Sequence, residues 1–136
     1  MISVMEEKNM GKKKNNKSNS QNYLEWLYMN DKDITVVDIR NSVEDEVNLE
    51  IDVWEELDII SINLHEKASI DIVEIENDLG EEEANKFVND NKIKRIFTVK
   101  MPEDSFIEAK KIMKIIVSHI GGFFCEDNDD FSPMIK

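Results

Sequence analysis

Cysteine is almost absent. The single Cys125 excludes an internal disulfide framework and points to a reducing compartment. Long apolar runs are absent too: no stretch approaches the about eighteen residues that a membrane-spanning helix needs. Ile2 to Met5 run straight into Glu6 and Glu7, without the apolar core of a secretory leader. These absences lead us to expect a cytoplasmic protein without a membrane association. Glycine occurs four times, and Gly80 and the Gly121-Gly122 pair stand as isolated punctuation, so no Gly-rich phosphate cradle exists. There is no zinc-ligand spacing and no HExxH.

With two histidines and one cysteine, a conventional nucleophilic triad has few parts to draw on. Glu126 and Asp127 follow Cys125, and nearby carboxylates raise a thiol pKa, so Cys125 reads as a small packed residue. Pairing it with His119 requires the Gly-Gly turn to fold the chain back along the preceding helix. His119 itself reads as a cation at a helix C-terminus. His65 lies in a polar connection with no legible partner. No catalytic residue, cofactor or metal ligand is assigned.

Charge is what the chain has in excess. The net value of −13 is unevenly distributed: residues 41–83 hold sixteen acidic side chains and one lysine, Lys67. Residues 84–120 reverse this with eight basic and four acidic groups, and residues 1–20 carry Lys8, Lys12, Lys13, Lys14 and Lys17 against Glu6 and Glu7. Such a balance repels nucleic acid and steers a basic partner, although acidity also serves solubility alone.

The strongest periodic stretch is 102–120. Phe106, Ala109, Met113, Ile116, Val117 and Ile120 recur at steps of three and four, the apolar stripe of a helix. Pro102 suits its first position, Glu103 and Asp104 its positive end, and Gly121-Gly122 its stop. Before it, residues 1–19 are polar and aperiodic, a frayed basic tail preceding one domain over 20–136. Residues 20–29 resemble a short helix, with Asn22 and Glu25 in capping-box spacing and Tyr23, Trp26 and Leu27 on one face.

Residues 34–39, ITVVDI, are β-branched and predict a strand. Residues 47–54 alternate Val47, Leu49, Ile51, Val53 against Asn48, Glu50, Asp52, a half-buried strand. Residues 57–64 predict another strand, set off by a tight turn at Glu55-Glu56, the alternative being one long strand bent there by a bulge; 69–76 and 92–101 predict two more. Residues 77–91 predict a helix started by Glu81 to Glu83, and Phe123 to Cys125 a last strand before an acidic, irregular end. The unit 92–125 is expected to set two parallel strands side by side through a crossover. The fold class is α+β: a mainly antiparallel curved sheet of five to six strands with helices on one face.

Asp127 and Asp129 imitate the opening of a calcium loop, but the required Gly and terminal Glu are missing, which leaves a solvated acidic end. Asp71, Glu74, Glu76 and Asp78 place carboxylates along one strand, with Asp71 pointing away from the others. The most informative constellation surrounds Trp54. Glu50 and Asp52 share its strand parity, Glu55 and Glu56 follow it, and Glu44, Asp45, Glu46 and Asp58 flank the group. An aromatic ringed by carboxylates is an anchor for a basic protein surface, as in inhibitors and immunity-type proteins. The competing account packs Trp54 around a sheet corner under the N-terminal helix. Two further readings are a small carboxylate- or metal-dependent enzyme and a homo-oligomeric scaffold.

Overall fold

A computed structural model describes residues 22–136. Seven strands and three helices follow one another as β1 (Tyr23–Asn30), α1 (Val36–Glu44), β2 (Ile51–Trp54), β3 (Ile59–His65), β4 (Ala68–Ile75), α2 (Glu82–Asp90), β5 (Arg95–Pro102), α3 (Phe106–Ile120), β6 (Phe123–Glu126) and β7 (Met134–Ile135). The strands form one open antiparallel sheet in the order β2-β3-β4-β5-β1-β6-β7. This is an α+β fold around a curved sheet. It has one strand more than expected because β7 pairs with β6 inside the stretch read as an irregular end.

The core divides on the two faces of the sheet. Trp26, Tyr28, Ile60, Ile62, Ile70, Ile72, Phe97 and Val99 meet Val36, Ile39 and Val43 of α1 and Ala109, Ile112, Met113 and Ile116 of α3. The alternate positions, Leu27, Met29, Ile96 and Cys125, meet Val88 of α2 and Phe131 of the C-terminal segment. α1 and α3 therefore share one face, and α2 covers part of the reverse. Phe87 stacks on Phe131 at 4.5 Å and on the edge of Phe123, which closes this second, smaller core.

Two segments near the start exchange their expected structures. Residues 23–30 are strand β1, paired with β5 on one side and β6 on the other. A central strand buried on both faces loses its alternation, and Trp26 to Asn30 are buried without interruption. Two aromatics within that stretch favour the extended form. The expected helix here is therefore wrong, and residues 1–21 lie outside the described residues.

Residues 34–39 are not a strand. Val36, Ile39 and Val43 recur at helical steps and are buried, and Asp38 accepts the Thr35 backbone N–H at 2.8 Å. Thr35 with Asp38 three residues on is a start signal hidden in a β-branched run. Of the strand expected over 47–54, only Ile51–Trp54 pairs; Val47 and Leu49 instead pack on the core as loop.

The turn at Glu55 is present as a single 3-10 turn, Glu55–Leu57, closed by Asp58 at φ 56. Pro102 ends β5, and another 3-10 turn, Glu103–Ser105, separates it from α3. β5 and β6 run in the same direction as expected, but they are not neighbours: β1 lies between them, antiparallel to both. The apolar strand with two buried faces takes the central slot.

At the C-terminal end of α3, Gly121 N–H returns to Val117 carbonyl at 2.9 Å. Tyr28 donates its hydroxyl to the Gly121 carbonyl at 2.7 Å, and Asn30, fully buried, bridges Tyr28 and the Ile120 carbonyl. This junction fixes where α3 leaves the sheet.

Candidate partner-binding surface

β2 is one edge of the sheet. Ile51 and Val53 turn toward the core shared with α1, so Asp52 and Trp54 project on the opposite face. Trp54 is 49% exposed, Leu57 of the following turn 64%. Glu50, Glu55 and Glu56 are exposed and Asp52 is half-buried. Asp52 is oriented: its Oδ2 accepts the Asn63 amide at 3.2 Å, and the same amide reaches the Glu50 carbonyl at 3.2 Å. The turn is anchored too, since Asp58 N–H bonds to the Glu55 carbonyl and the Asp58 carbonyl accepts Glu74 N–H at 3.0 Å. Carboxylates and aromatic thus sit on a fixed corner. Trp54 does not pack under an N-terminal helix, because the segment in question is β1, separated from β2 by three strands in the sheet order.

Strand register extends this corner across the sheet. Trp54 pairs with Ile59, Ile59 with Val73, Val73 with Thr98, and Thr98 with Leu27. The neighbouring row runs Asp52, Ser61, Asp71, Lys100. Asp71 accepts the hydroxyls of Ser61 at 2.8 Å and Ser69 at 3.0 Å, and Lys100 lies over the Tyr23 ring. Glu74 faces the other way, half-buried, where it pairs with Arg95 at 2.6 Å beside Asp33, and these two acids hold the Arg95 pKa above its ordinary value. The carboxylates along β4 therefore divide between the two faces.

Sequence reasoning missed a contact of His65. This residue ends β3, and its Nε2 lies 3.5 Å from the buried Ser105 hydroxyl at the start of α3. The pair is not arranged for nucleophilic attack. Lys67 N–H donates to His65 Nδ1, which places the ring proton of the neutral imidazole on Nε2, and Ser105 donates onward to Asp104 Oδ1 at 3.3 Å. The lone pair a general base needs points away from the serine. No sequence signal links residues 40 apart; only the approach of the β3–β4 hairpin to α3 brings them together.

His119 instead contacts Glu46 in the loop after α1, so it ties α3 to the α1–β2 connection. Cys125 is buried, and burial, with Asp127 nearby, pushes its thiol up to about 12. Among the described residues no three His, Cys, Asp or Glu side chains come together in a way that could hold a metal ion. In the 127–130 loop the interior is taken by Asn128, whose side chain accepts the N–H groups of Asp130 and Ser132 and donates to the Ser132 carbonyl. No helix among the described residues is long and apolar enough to cross a membrane.

Two buried groups make stability pH-dependent. Cys125 rises from an ordinary 9.0, and Tyr28, buried and near Asp31, from 10.0, each to about 12. Both native pKa values exceed the unfolded ones, so the stabilisation is complete below about 9 and is lost as pH climbs to about 12. Denaturant titrations should show stability falling by up to about 1.4 kcal/mol per pH unit for each group. Cys125→Ala should delay the onset of that fall by removing its lower part. A flat profile across this window contradicts the assignment.

No family model, curated protein or solved structure matches this chain.

Proposed function

We propose that this chain is a small acidic binding protein of the inhibitor or immunity type, which captures a basic protein surface at the Trp54 corner and blocks it by charge and bulk. The observation that carries the reading is a half-exposed tryptophan on an edge strand with Glu50, Glu55 and Glu56 exposed around it. An indole offers large contact area at small entropic cost, and surrounding carboxylates accelerate encounter and set orientation. Asn63 holds Asp52, and the bonded turn holds Glu55 and Glu56, so little ordering remains for binding. A partner of this charge is not nucleic acid, whose phosphates the acidic face repels. A buried free thiol suits a reducing, cytoplasmic setting.

The test is capture from the source cell with the full chain as bait, followed by affinity measurement on whatever basic protein it retains. Trp54→Ala should weaken that complex by about 2 kcal/mol, roughly 30-fold. Charge reversal at Glu50, Asp52, Glu55 and Glu56 should chiefly slow association and flatten its salt dependence. Capture that withstands all five changes, with its salt dependence intact, removes the basis for the reading.

A further inference from the structure

The sheet is open at β2. Among the described residues no strand lies beyond it, and its outer edge is Ile51–Trp54. Asn63 N–H donates to the Glu50 carbonyl at 2.9 Å, which marks these two residues as a bonded pair in the ladder. In an antiparallel ladder bonded pairs alternate with unbonded ones. Asp52 and Trp54 therefore exchange bonds with Ser61 and Ile59, while Ile51 and Val53 turn their N–H and C=O groups outward. No turn, loop or side-chain bond among the described residues takes up those groups.

Such an edge is a template for another strand, and its side chains decide which strand it takes. Asp52 and Trp54 stand on the reverse face, with Glu50 and Glu55 exposed at either end. Ile51 and Val53 stand on the face shared with α1. A second copy of β2 would set Asp52 and Glu50 against the same carboxylates and is repelled. A strand with cationic side chains beside Asp52 and Trp54 meets opposite charge and an indole face instead. Its alternate positions, opposite Ile51 and Val53, extend a half-buried apolar row and call for aliphatic side chains.

We propose that the basic partner is bound by strand addition: an extended segment alternating cationic and aliphatic residues pairs antiparallel with β2, its backbone bonded to Ile51 and Val53. This rests on the Trp54 reading and gives the partner's segment a conformation and a sequence pattern. Antiparallel pairing continues the sheet, in which every pair among the described residues is antiparallel. The main chain then supplies the grip, and the carboxylates choose the sign of charge.

Two short capped peptides, with equal numbers of lysine and valine in alternation, test it on the full chain. One carries N-methyl groups on its lysines and the other on its valines, so charge and composition are the same. With the lysines beside Asp52, the valine N–H groups are those that face β2, and only the second peptide is blocked. The lysine-methylated peptide should bind and slow hydrogen exchange at the Ile51 and Val53 amides, which exchange fast in the free chain. The valine-methylated peptide should bind at least about ten-fold more weakly, since about two backbone bonds are lost. Equal binding of the two, abolished by charge reversal at Glu50, Asp52, Glu55 and Glu56, overturns strand addition and leaves the Trp54 reading standing. Protection of the Ile51 and Val53 amides in the free chain also overturns strand addition alone, because the edge is then already filled. No binding of either peptide at low salt, or binding indifferent to the charge reversal and to Trp54→Ala, removes the reading and the inference together.

Discussion

Gly122→Ala should destabilise the protein by about 4 kcal/mol, near the upper end of what single changes do. Gly122 has φ +75, a conformation that costs a side chain about 1–2 kcal/mol by itself. The larger part is steric. A Cβ there would lie 2.5 Å from the Met29 carbonyl oxygen and 3.0 Å from both Asn30 Nδ2 and Tyr28 Cε1. The carbonyl belongs to β1, the central strand, and the side chains belong to the buried junction below α3, so none can retreat without moving packed structure. Gly80 is the control: its φ is also positive, but nothing lies within 4 Å of the added carbon. Gly80→Ala should therefore cost only about 1 kcal/mol. Urea titrations of the two variants check the difference, provided the slope of the transition stays constant. Equal costs would mean that backbone conformation, and not the approach to β1, makes glycine necessary at 122.

Asn30→Ala should cost about 3 kcal/mol, because it breaks one buried and two partly buried hydrogen bonds at once. The Asn30 carboxamide donates to the Tyr28 hydroxyl at 2.9 Å and to the Ile120 carbonyl at 3.1 Å, and accepts Lys32 N–H at 2.8 Å. Truncation orphans that N–H and removes the principal donor to the last carbonyl of α3; the Lys32 ammonium, 3.5 Å away, compensates weakly. Tyr28→Phe removes the bond to Gly121 and the one accepted from Asn30, whose amide keeps the Ile120 carbonyl, and should cost about 1 kcal/mol. Two readouts accompany the stability measurement. Hydrogen exchange at the Lys32 amide should accelerate, and Tyr28 should titrate still higher, since the Asn30 bond lowers its pKa. Asn30→Ala and Gly122→Ala touch the same contact, so their effects should not add. If the Lys32 amide keeps its protection in the alanine variant, the network does not hold the junction.

The two variants act at the place where α3 is joined to the sheet, and that join organises the acidic surfaces. With α3 and α1 covering one face, the other is left with α2 at one end and the Trp54 corner at the opposite end. The corner's carboxylates are positioned by β2–β3 pairing, the Asn63 amide and the backbone bonds of Asp58, none of which either variant alters directly. A folded population of either should retain the corner while losing global stability.

Local pattern was enough for α3, α2, β3, β4 and β5. Each carries its apolar residues at one clear period, and α3 stops at Gly121 as expected, although its expected start at Pro102 belongs to β5 and the helix begins at Phe106. The same pattern placed Trp54 and Asp52 on one side of a strand, and it separated Asp71 from the carboxylates that face away. It failed for 23–30 and 34–44. Tyr23 to Met29 carry apolar side chains on both sides because two strands flank β1 and each face has its own core; such a run has no period to report. Val36, Val37 and Ile39 are individually strand formers, and only the Thr35–Asp38 start and burial at Val36, Ile39 and Val43 reveal α1.

What the amino-acid sequence determined alone was the charge, its separation into an acidic middle and basic flanks, the class of fold, and the identity of the exposed aromatic candidate. Those are properties of single residues and short spacings. Strand order, the insertion of β1 between β5 and β6, and the meeting of His65 with Ser105 were decided by tertiary structure. Each depends on which strand buries both its faces, a competition among segments for the centre of the sheet that no local window contains.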